Sequence, residues 1–65
     1  MEILYYYRTP FGTHYFLIVK TRTGFVKLFV EAELNLMDAL RNNVERIELM
    51  EDYDKKFEEL QSQTL

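Results

Sequence analysis

The sequence has no cysteine, one proline, two glycines, one histidine and one serine, and each scarcity closes off a class of protein. Without cysteine, neither a disulfide nor a thiolate metal site can staple the fold, so a reducing cytosol fits better than an extracellular address. No stretch of about 20 apolar residues is present to span a bilayer, and Met1 to Arg8 lack the basic leader of a secretion signal, so no membrane association is expected. Gly12 and Gly24 are too few and too far apart for a glycine-rich phosphate loop, and each has a turn to explain it. His14 is the only histidine, while the only serine, Ser62, lies far off in the tail, so a histidine-activated nucleophile would have to be a threonine or that serine. Asp52-Tyr53-Asp54 brings two carboxylates close together, but no glycine follows where a calcium loop needs one. No catalytic residue, metal site or cofactor is expected.

What the chain does have is apolar bulk and an uneven distribution of charge. A hydrophobic content of 48% over 65 residues suffices for one small core, and no repeat or linker divides the sequence, so residues 1–65 are read as a single domain. The net charge of -3 conceals two halves. Residues 1–30 set Arg8, Lys20, Arg22 and Lys27 against Glu2, whereas residues 31–65 set four cations against ten carboxylates.

The first half is rich in Tyr, Phe, Ile, Val and Thr, residues that fit a pleated sheet. Thr9-Pro10-Phe11-Gly12 has type I turn chemistry, and Thr21-Arg22-Thr23-Gly24 ends in a glycine free to take positive φ. Three antiparallel strands are predicted, about Glu2 to Arg8, Thr13 to Lys20 and Phe25 to Glu31. With Pro10 and Phe11 as the first loop and residues 21–24 as the second, Leu4, Tyr6, Tyr15, Leu17, Val19, Val26, Leu28 and Val30 fall on one face, which is expected to be the intramolecular core. Ile3, Tyr5, Tyr7, Phe16, Ile18, Phe25 and Phe29 fall on the other, with His14, Lys20 and Lys27. Both faces are apolar, so the second must be covered, and a homodimer is expected there.

After Val30 helix formers dominate. Asn35 is a candidate cap, Leu36, Met37 and Leu40 would face the sheet, and Asn42-Asn43 offers a stop. Residues 44–50 suit a strand by the alternation of Ile47 and Leu49 with charge, but also a helix through Val44, Ile47 and Met50; a fourth strand is favoured. Asp52 is a candidate cap for a last helix carrying Tyr53, Phe57 and Leu60 on one side, with residues 61–65 fraying. The expected fold class is α+β in the order β-β-β-α-β-α.

Two surfaces are candidates for function. Glu45, Glu48, Glu51, Asp52, Asp54, Glu58 and Glu59 crowd into fifteen residues with only Arg46, Lys55 and Lys56 as cations. Carboxylates on a rigid helix can stand where backbone phosphates stand and so occupy the groove of a nucleic-acid-binding protein. Phage-encoded anti-CRISPR proteins and uracil-DNA glycosylase inhibitors use this strategy, and the chain is similar to them in size and acidity, though no segment carries a family motif. That resemblance implies a viral inhibitor that mimics DNA and partners a nucleic-acid-handling protein. The second surface is the aromatic one, where Tyr5, Tyr7, Phe16, Phe25 and Phe29 lie near Lys20, Arg22 and Lys27. It suits either a dimer or partner seam, or a stacking platform for single-stranded nucleic acid. A solvated, charged helix face and a set of core rings are the plainer readings of the same residues.

Overall fold

From the β-branched and aromatic first half, the computed structural model, which describes residues 2–42 and 44–63, forms strands β1 (Glu2–Arg8), β2 (His14–Thr21) and β3 (Gly24–Glu31). The Thr9–Gly12 turn forms, but the first loop is longer than Pro10-Phe11, since the Thr9 amide donates to the His14 carbonyl at 3.2 Å and Tyr7 pairs with Phe16, a shift of two residues that leaves the faces of Tyr5 to Tyr7 unchanged. The second loop is shorter than residues 21–24. The Gly12 amide donates to the Thr9 carbonyl at 2.9 Å, with Gly12 at φ 70°, a conformation that L side chains rarely adopt. At the second turn Thr21 pairs directly with Gly24, whose φ is 137°, and the Thr21 hydroxyl donates to the Gly24 carbonyl at 2.9 Å.

Pairing of β2 with β3 is unbroken from His14↔Glu31 to Thr21↔Gly24, but β1 slips against β2 between Ile3 and Tyr5. That bulge corrects the expected faces at the start of β1, because an extra residue reverses which side the preceding ones occupy. Ile3 pairs with Val19 and joins the cluster of Tyr15, Leu17, Val19 and Leu40 rather than the rings of Tyr5 and Tyr7. Leu4 falls at the slip and has no pairing partner.

Helix α1 (Leu34–Leu40) turns Leu36, Met37 and Leu40 onto that first face, as their spacing predicts. Its start differs from expectation. Glu33, extended at φ -123°, holds the cap position without a side-chain bond and accepts the Met37 amide at 2.8 Å, so Asn35 lies inside the first turn. The helix closes through the Arg41 amide to the Asp38 carbonyl at 3.3 Å. Of the expected Asn42-Asn43 stop, Asn43 lies outside the described residues.

Residues 44–50 divide between the two periods they satisfy. Glu45–Arg46 form β4, two residues long and parallel to β1 through Tyr5↔Glu45 and Tyr6↔Arg46, and the Ile47 amide then donates to the Tyr6 carbonyl at 2.8 Å. The sheet is therefore mixed, in the order β3-β2-β1-β4. Helix α2 (Met50–Gln63) starts two residues before Asp52, so the Leu49 carbonyl receives the Asp52 and Tyr53 amides at 3.1 and 3.2 Å, and Asp52 sits within the first turn rather than at the cap. The helix also runs through Gln63, where fraying from Gln61 was expected; Thr64 and Leu65 lie outside the described residues.

Helix α2 covers the second face. Ile18, Ile47 and Tyr53 form its buried centre, with Tyr5, Tyr7, Phe16, Phe25, Met50, Phe57 and Leu60 packed around them. The apolar face that needed a second copy to cover it is thus closed by the chain's own last helix. The opposite face is the incomplete one, because seven-residue α1 is too short to reach across to β3, leaving Val26 and Leu28 exposed at 40% and 37%. No helix among the described residues is long and apolar enough to cross a membrane.

Candidate functional site

Each of the seven carboxylates from Glu45 to Glu59 is exposed, but the backbone distributes them over more than one surface. Strand alternation sends Glu45 to the α2 side of β4, with Tyr5 and Ile47, while Glu48 pairs with Arg46 at 3.6 Å. On α2, where side chains repeat every 3.6 residues, Asp54 turns toward the sheet and meets Lys27 of β3 at 3.4 Å. Lys56 reaches Glu59 at 3.5 Å and lies 5.4 Å from the Tyr5 ring. Lys55 stands one turn after Glu51 and one turn before Glu59, in the middle of the outward surface.

Glu45, Glu51, Asp52 and Glu58 have no ion-pair partner among the described residues. Glu51 and Asp52 occupy the first turn of α2, where the N-terminal end of the helix dipole favours negative charge. The three pairs that do form are largely solvent-exposed, which makes each worth no more than about 1 kcal/mol. Across residues 45–59 the seven carboxylates exceed the three cations by four.

The aromatic surface is largely absorbed by the fold. Tyr5, Tyr7, Phe16 and Phe25 are half-buried against the core beneath α2, so their faces are not free for stacking or for a second copy. Phe29 alone of the five is open, at 57% exposure, lying 4.6 Å from the Phe16 ring and stacked on His14 at 4.7 Å with an interplanar angle of 8°. His14 is accounted for by that stack and by the Thr13 hydroxyl 3.0 Å from its Nδ1. The Lys27 ammonium lies 4.8 Å from the Phe57 ring as well as beside Asp54. Lys20 and Arg22 sit at the far end of the hairpin, along a shallow hollow that Gln63 also lines.

Tyr53 has a role that its apolar spacing did not reveal. Fully buried, it donates from its hydroxyl to the Leu17 carbonyl at 2.7 Å, and burial, helped by the neighbouring Asp54 carboxylate, pushes the phenol up to about 12. This bond ties α2 to the middle strand. Among the described residues no three His, Asp or Glu side chains converge as metal ligands. In comparisons with protein families, curated proteins and solved structures, nothing matches the chain.

Proposed function

We propose that the protein is a small binding protein that inhibits or regulates a nucleic-acid-handling protein by presenting its acidic side to that protein's basic groove. The observation that carries this reading is the excess of exposed carboxylates over cations along β4 and α2, with Glu45, Glu51, Asp52 and Glu58 unpaired among the described residues. Long-range attraction of this kind raises the rate of encounter and orients the partner before contact. Because Glu51, Asp52 and Glu58 sit on a helix pinned by Tyr53, they hold their spacing, as a phosphate mimic must.

Immobilised protein should retain a nucleic-acid-binding partner from the source cell at low salt and release it as salt rises, and free protein should compete with DNA for that partner. The double variants Glu45→Lys with Glu48→Lys, and Glu58→Lys with Glu59→Lys, should each slow association while leaving the fold intact. Unchanged association in both would reduce the acidic side to a solubilising surface. A titration with single-stranded DNA tests the alternative, a nucleic-acid binder using Phe29 and the basic hairpin: tight binding that weakens steeply with salt would favour it.

A further inference from the structure

The two edges of the sheet are built differently. At one end β4 is two residues long and charged, which leaves little to template another strand. At the other, β3 offers eight residues without proline or bulge, and among the described residues no strand pairs with its outer side. The Ala32 amide donates to the Thr13 carbonyl at 3.0 Å, which fixes the alternation of the ladder: even-numbered residues of β3 point their backbone groups at β2. Those of Phe25, Lys27, Phe29 and Glu31 therefore point outward, without a strand to receive them. Lys27 is the only lysine on this edge, and its one ion pair, with Asp54 at 3.4 Å, is solvent-exposed and weak enough for the ammonium to be shared with a second carboxylate.

We propose that the outer edge of β3 pairs antiparallel with the same strand of a second copy, about a two-fold axis at Phe29, joining the two sheets into one of eight strands. Side-chain faces are kept only if the register moves in steps of two. Centring on Lys27 sets two ammonium groups against each other, and centring on Leu28 places each Lys27 opposite a phenyl ring. Centring on Phe29 places Lys27 opposite Glu31 twice, pairs the two exposed Phe29 rings, and aligns Leu28 with Val30 on the α1 side. Glu31 has no ion-pair partner of its own among the described residues. Charge complementarity with a partner obeying two-fold symmetry is what selects a second copy over an unrelated strand. This dimer does not depend on the acidic reading and leaves β4 at the far edge of each sheet.

Sedimentation of the wild-type protein should show monomer passing to dimer between about 10 μM and about 1 mM, since one strand pair buries less than a standard interface. Lys27→Glu sets glutamates opposite each other and should weaken the dimer about tenfold or more, whereas Lys27→Glu with Glu31→Lys should restore it to within about threefold. Phe29→Glu, at an already exposed position, should abolish it without unfolding the domain, as circular dichroism would verify. A wild-type monomer throughout that range overturns the proposal. So does a dimer indifferent to Phe29→Glu, and a double charge swap that fails to rescue overturns the register.

Discussion

Helix α2 runs fourteen residues along one face of the sheet, and helix α1 runs seven along the other. The longer helix places Tyr53, Phe57 and Leu60 over the rings of β1, β2 and β3 and completes a core in which Ile18 and Tyr53 have no exposure. The shorter one buries Leu40 over β1 and β2, then ends, and a groove remains between α1 and β3, lined by Ile3, Leu17, Val19, Leu28, Val30 and Leu36. Apolar content does not decide which face of a sheet is closed. The reach of the covering element does.

The most severe test of that contrast compares one residue from each face. Ile18→Ala should cost about 2–5 kcal/mol, the range for a large-to-small change in a packed interior, and should leave much of so small a domain unfolded. Leu28→Ala, exposed on the incomplete face, should cost about 1 kcal/mol or less. Urea melts of the two would undo the comparison if they lost equal stability.

A smaller effect is expected from Tyr53→Phe, which keeps the ring but removes the buried donor to Leu17; about 1–2 kcal/mol is the usual scale. Its pH dependence identifies the cause. Because the folded protein holds the phenol proton more tightly than the unfolded chain, the stabilisation is complete below about pH 10 and is lost as pH rises through about 12. The stability gap between wild type and Tyr53→Phe should therefore narrow over that window, and a gap constant from pH 8 to 11 would assign the loss to packing alone. The smallest effect belongs to the surface pairs: Glu59→Ala should shift the melt by no more than about 0.5 kcal/mol, and a loss several times larger would mean that Lys56 is held on the Tyr5 ring by its ion pair.

The strands, both turns and the inward sides of both helices were legible because each rests on a local rule: Gly12 and Gly24 at turn ends, Leu36, Met37 and Leu40 at helical spacing, and Tyr53, Phe57 and Leu60 likewise. Local rules failed where a long-range contact decided the outcome. Nothing near Leu4 announces a bulge, which depends on how β1 fits β2 while also pairing with β4. The caps expected at Asn35 and Asp52 lie inside their helices, because the first-turn amides of Met37, Asp52 and Tyr53 are accepted by the earlier carbonyls of Glu33 and Leu49. The acidic residues were visible as a run, but their division between free and paired was not, since Lys27 lies 27 positions from Asp54. For the aromatic face the rings were identified correctly, and what covers them was not.

The parallel pairing of β4 with β1 carries a kinetic consequence. Strands β1 to β3 meet through short turns and can zip together early, whereas the contacts of Tyr6 with Ile47 and of Leu17 with Tyr53 close loops of about forty residues and are reached at a greater entropic cost. The last part of the chain is therefore expected to dock late and to leave first. When it leaves, Tyr5, Tyr7, Phe16 and Phe25 lose their cover together, so the same short-lived opening that begins unfolding would also expose the stickiest surface this chain has.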